Sequence, residues 1–101
     1  MSPAANQILQ TLTQHREAIR AFGARRLGLF GSQARGEASA ESDLDFLVDF
    51  EPGTKTFDNY MGLKELLEEL FESRVDLVAS EVLKPRLREG ILRETVYVPG
   101  L

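Results

Sequence analysis

The chain of 101 residues contains no cysteine and no tryptophan. The missing cysteines exclude disulfides and thiolate metal sites. There is a single histidine, His15. It falls in the first helical stretch, far in sequence from the densest motif, and reads as solvated or as a contact for a partner. No apolar run approaches the roughly 20 residues that span a bilayer. Residues 1–10 lack the basic segment and long apolar run of a signal peptide, so the cytoplasm is the expected compartment. Positive charge is also short: 12 Lys and Arg stand against 16 Asp and Glu, a net charge of -4. That balance argues against direct nucleic-acid binding, which depends on clustered basic residues. No repeat, low-complexity linker or domain boundary is visible. The length fits one compact domain over 1–101, with little room for a second, substrate-binding domain.

What is present reads as alternating helices and strands. Ile8, Leu9, Leu12, Ile19 and Phe22 recur at helical spacing within 4–22, and Gly23 suits a C-terminal cap. Leu27, Gly28, Leu29 and Phe30 read as a buried strand running into a turn at Gly31 and Ser32. Ser32 can cap a short helix through Arg35, which Gly36 ends. Residues 36–42 are small and acidic, hence a loop. A second strand follows over 43–50, with Leu44, Phe46, Val48 and Phe50 on one face. Residues 51–54 form a turn. The clearest helix covers 57–72, with Tyr60, Leu63, Leu67, Leu70 and Phe71 as its apolar stripe and Thr56 or Asp58 as its cap. Val75–Ala79 reads as a third strand. Pro85 opens a helix over 85–94, and 96–98 forms a last strand or ordered tail. This order predicts an α/β (α+β) domain: a small mixed β-sheet flanked by helices.

The chemistry concentrates in 31–45. Asp43 and Asp45 are spaced i, i+2, so on a strand they share a face with Cα atoms about 6.5–7 Å apart. Carboxylates at that separation can converge on metal ions about 3.5–4 Å apart. Hard cations such as Mg²⁺ take oxygen ligands and share them with substrate phosphates. Alone, Asp-x-Asp is most simply a turn cap and a solvated strand face. The upstream Gly31-Ser32-Gln33-Ala34-Arg35-Gly36 weighs against that bland reading. Gly31 permits close backbone approach or an unusual dihedral. Ser32 offers a hydroxyl and an N–H to an anion. Arg35 can neutralise phosphate charge, and Gly36 lets the chain leave at once. A third carboxylate, Asp76, interrupts an apolar strand expected to be central, facing away from Val75 and Leu77. There it is costly unless paired, protonated or metal-bound. Pairing with Arg25 or Arg74 is the plainer alternative. In the metal reading it completes the site and helps deprotonate an attacking hydroxyl.

Other charged groups read as ordinary. Asp49 shares the parity of Asp43 and Asp45 but lies roughly 13 Å along the strand from Asp45, and reads as a surface carboxylate. Lys55 follows a flexible turn and could reach a triphosphate. Glu65, Glu68, Glu69 and Glu72 form a solvated helix face. Arg86, Arg88 and Arg93 also read as solvated.

The run Gly31 to Gly36, followed by Ser42-Asp43-Leu44-Asp45, resembles the signature of the DNA polymerase β-like nucleotidyltransferase superfamily. The short length and the downstream Val75-Asp76-Leu77-Val78 are similar to its minimal nucleotidyltransferase (MNT) domains. The resemblance covers roughly residues 20–98. It implies transfer of a nucleoside monophosphate from an NTP, with ATP the expected donor, and release of pyrophosphate. It implies that Gly31 and Ser32 hold the triphosphate, Arg35 and Gly36 support it, and Asp43, Asp45 and Asp76 bind two Mg²⁺ ions. Members of this family often act as antitoxins paired with a HEPN-domain ribonuclease toxin. The resemblance then implies adenylylation of that toxin, usually on a tyrosine. Two other readings remain: a non-catalytic antitoxin that masks a toxin sterically, and a small-molecule transferase of the antibiotic-modifying type.

Overall fold

The computed structural model describes residues 3–36 and 43–101. Helices α1 (Pro3–Gln14) and α2 (Arg16–Ala21) lead into strand β1 (Ala24–Phe30), followed by the short helix α3 (Gly31–Arg35). Strand β2 (Leu44–Phe50), helix α4 (Phe57–Phe71) and strand β3 (Val75–Ala79) form a β-α-β unit. A 3-10 turn (Ser80–Val82), helix α5 (Pro85–Glu94) and strand β4 (Val96–Tyr97) complete the order. The four strands make one sheet in the order β3-β2-β1-β4. The β2–β3 pair is parallel and the other two are antiparallel, so the sheet is mixed, as the pattern predicts.

The core follows from strand alternation. Leu44, Phe46 and Val48 of β2, Leu27 and Leu29 of β1, and Val75 and Leu77 of β3 are all buried on one face. Leu9 and Leu12 of α1, Ile19 of α2 and Leu63 and Leu67 of α4 close over that face. Each fully buried Leu or Phe contributes about 1.5–3 kcal/mol. Phe46 and Phe71 stack with centroids 5.9 Å apart. The other face carries Asp45, Leu47 and Asp49 on β2, and Asp76 and Val78 on β3.

Five local expectations are corrected. The helix expected over 4–22 is broken at His15. Its Nδ1 donates to the Thr11 carbonyl at 2.8 Å, the acceptor its own backbone N–H would use in a continuous helix. That N–H donates to Leu12 instead, at 3.0 Å. His15 is thus half-buried at a helix junction rather than solvated. Strand β1 begins three residues earlier than its apolar run, because Arg25 and Arg26 conceal it. Asp43 lies one residue before β2 rather than on it. Finally, β3 is an edge strand, not a central one.

Candidate active site

Gly31 sits where β1 ends, and its backbone is left-handed at φ 76°. A side chain there is excluded twice. The conformation disfavours it, and a Cβ would lie 2.2 Å from Asp45 Oδ2. The glycine therefore lets the α3 turn close down against the Asp45 carboxylate. Ser32 lies within α3 rather than capping it; Phe30 holds the capping position and makes no side-chain cap bond. Gly36, at φ 75°, ends α3 in a left-handed cap. The segment 37–42, including Ser42 of the motif, lies outside the described residues.

Strand pairing brings the carboxylates together. Asp45 is the antiparallel partner of Phe30, next to Gly31, and the parallel partner of Asp76. Asp43 enters the same end of β2. Its carboxylate lies 3.4 Å from Arg74, in an exposed pair, while the Leu44 N–H donates to the Arg74 carbonyl. Asp76 is exposed at the sheet edge, so the cost of burial falls on Asp45 instead. Burial raises the Asp45 proton affinity, and the charges of Asp76 and Asp43 raise it further. Arg35 opposes this and Glu94 adds to it.

Glu94 escapes a reading from sequence. It ends α5, and its Oε1 accepts from the Gly31 N–H at 3.2 Å. Its Oε2 accepts from Arg35 Nη1 at 2.9 Å. One signal was available: a carboxylate at a helix C-terminus faces the negative end of the helix dipole, so it wants another partner.

The remaining polar groups belong elsewhere. Asp49 is no solvated carboxylate: its side chain is 16% exposed and pairs with Arg26 at 2.6 Å. It also accepts from the Ser80 hydroxyl. Lys55 pairs with Glu81 at 2.7 Å. These groups line a polar cavity of about 310 Å³ at the far end of β2, away from Asp45. Arg88 donates to the Ser80 carbonyl at 2.6 Å and tethers α5 to that same end.

The donor set fits a hard cation in type and register. Asp45 and Asp76 are direct partners, Asp43 is two residues away, and a cation would relieve the repulsion that raises the proton affinity of Asp45. The arrangement is open. Among the described residues, no three acidic or histidine side chains are drawn together as a metal site, and Asp43 would have to leave Arg74.

Comparison with known proteins gives the same fold and chemistry class. Residues 12–98 match the nucleotidyltransferase domain model. The chain is 45% identical over 93 residues to the protein adenylyltransferase MntA of Thermococcus cleftensis, covering 91% of this chain and 93% of that protein. A solved structure ascribed to a minimal nucleotidyltransferase superposes with a TM-score of 0.71 at 49% identity, covering 87% of this chain and 93% of that one. More distant in sequence, at 20% identity, is the complex of a tri-AMPylated Shewanella oneidensis HEPN toxin with an MNT antitoxin; its TM-score of 0.63 covers 92% of this chain and 73% of that one. A toxin–antitoxin structure with AMP-PNP, 23% identical, has a TM-score of 0.68 over 96% of this chain and 73% of that one. The chain belongs to the nucleotidyltransferase domain family, as a minimal nucleotidyltransferase, and is an enzyme of that class.

Proposed function

We propose that this chain is a metal-dependent protein adenylyltransferase. It transfers AMP from ATP to a hydroxyl, a tyrosine by preference, of a HEPN-type toxin partner, and so acts as an antitoxin. The observation that carries this reading is the register of Asp45 with Asp76, directly beside the Gly31 turn. Support for the protein acceptor comes from the Thermococcus cleftensis relative, a protein adenylyltransferase. Support for the partner comes from the similar fold of an MNT antitoxin in complex with a HEPN toxin.

Gly31 and Ser32 hold the triphosphate through backbone N–H and hydroxyl, and Gly36 keeps the turn short. Arg35 offsets phosphate charge. Asp43, Asp45 and Asp76 would hold Mg²⁺, which when bound stabilises charge on the phosphoryl oxygens. The partner hydroxyl oxygen attacks the α-phosphorus and forms the new P–O bond. The bond from the α-phosphorus to the bridging oxygen breaks, and pyrophosphate leaves. Asp76, the most open of the carboxylates on the sheet face, takes the hydroxyl proton.

The test is label transfer from α-labelled ATP to the partner. The Asp43→Asn, Asp45→Asn double variant should lose it while keeping its fold; normal transfer would refute the site. A steric antitoxin is the second reading, favoured by the exposed apolar side chains of Val82 and Leu87. Under that reading the same double variant still neutralises the toxin in cells.

A further inference from the structure

Among the described residues, Glu94 is the one carboxylate beside the Gly31 turn that the transfer reaction leaves without a task. A single side chain spans the backbone amide of Gly31 and the guanidinium of Arg35, at 3.2 and 2.9 Å. Those two groups are the ones assigned above to the triphosphate. To such donors a carboxylate and a phosphate look alike: each presents paired, negatively charged oxygens to an N–H and a guanidinium. The Glu94 side chain is only 27% exposed, so water screens these contacts incompletely. Its own helix gives no reason for the position, since a C-terminal carboxylate opposes the helix dipole. The contacts to Gly31 and Arg35 supply that reason.

The backbone beneath Glu94 is fixed. The Thr95 N–H and hydroxyl both donate to the Ile91 carbonyl, at 3.1 and 2.6 Å. Val96 pairs with Leu29 of β1. What can leave is therefore the side chain, by rotation, while α5 and β4 stay in place.

We propose that Glu94 is a resident counter-anion of the nucleotide site, which the triphosphate displaces from Gly31 and Arg35 when it binds. The proposal rests on the nucleotide-binding reading of those two residues. It gives Glu94 a regulatory effect on affinity: ATP binds against an internal competitor. The return of the carboxylate then competes with pyrophosphate and favours its departure. A purely positioning role, in which Glu94 holds Arg35 ready for phosphate, has the opposite sign, because its removal would weaken binding.

Calorimetric titration of ATP with Mg²⁺ into the wild-type chain and Glu94→Gln separates the two. The variant keeps the shape and an acceptor for the Gly31 N–H but loses the charge. Displacement predicts about three- to tenfold tighter binding, the scale of one partly screened charged contact. Unchanged or weaker binding overturns it. If neither chain binds ATP, the nucleotide assignment itself has failed, rather than the displacement alone. A crystal structure of the wild type with a non-hydrolysable ATP analogue decides independently of the variant's folding. Glu94 should have left both groups, and its retention on both would overturn the proposal.

Discussion

Asp45 carries a charge where the fold resists one. Its carboxyl is half-buried, with Asp76 and Asp43 adding repulsion, so its proton affinity is raised. The sign of the linkage follows. A group whose folded pKa lies above its unfolded value stabilises the fold below the unfolded value, and that contribution is lost as pH rises through the folded value. At neutral pH the ionised Asp45 therefore costs stability. Asp45→Asn should raise the thermal midpoint at pH 7 without ligand, and abolish label transfer. The gain over wild type should shrink as the pH falls through the raised Asp45 range; a gain that is the same at pH 4 and pH 7 would contradict this account. Gly31→Ala tests the neighbouring constraint. The left-handed backbone and the 2.2 Å approach to Asp45 predict a loss of about 1–3 kcal/mol in urea denaturation, together with weakened ATP binding. These residues were legible because their demands are local: a glycine before a turn, and two carboxylates two residues apart where one strand begins. Glu94 and Asp49 were not, since their partners lie 63 and 23 residues away in sequence and meet them only through sheet pairing.

At the scale of elements, periodicity was enough for β2, β3 and α4, where apolar spacing is clean, and Pro85 at the first turn marked α5. It failed at the first helix because the break is a side-chain event: the His15 ring takes a carbonyl that the helix needs. It failed at the start of β1 because two arginines mask a strand whose Ala24 is buried opposite Phe50. Edge and centre could not be told apart for β3, since composition reports that a strand faces a core and not how many neighbours it has. The resulting misplacement mattered, because it moved the expected cost of burial from Asp45 to Asp76. Helix α4 shows the opposite case, a start written into the sequence. Thr56 accepts from the Asn59 N–H at 3.1 Å, the bond of an N-cap. Thr56→Ala should cost about 1 kcal/mol, read as a lower urea midpoint with an unchanged slope, while transfer activity at low denaturant is retained.

Across the whole molecule, the two ends of β2 have different duties. At its start, the Asp45–Asp76 register and the Gly31 turn form an open, mutually repelling cluster. At its end, Asp49 is satisfied by Arg26 and Ser80, and Arg88 ties α5 to the Ser80 carbonyl. The ends are separated by roughly 13 Å of strand, from a rise of about 3.3 Å per residue. Substitutions at that distance, with no shared partner, act independently. Asp49→Ala removes the partner of a half-shielded guanidinium and of a hydroxyl, so it should cost about 1–3 kcal/mol of stability. Its transfer rate, measured well below the unfolding transition, should stay within about twofold of wild type. Asp76→Asn should do the reverse. The residue is exposed at an edge, so the urea midpoint should hardly move while transfer to the partner is lost. A variant of either kind that lowers both quantities together would mean that the two ends are mechanically coupled, with α5, anchored at Ser80 and at Gly31, as the element that couples them.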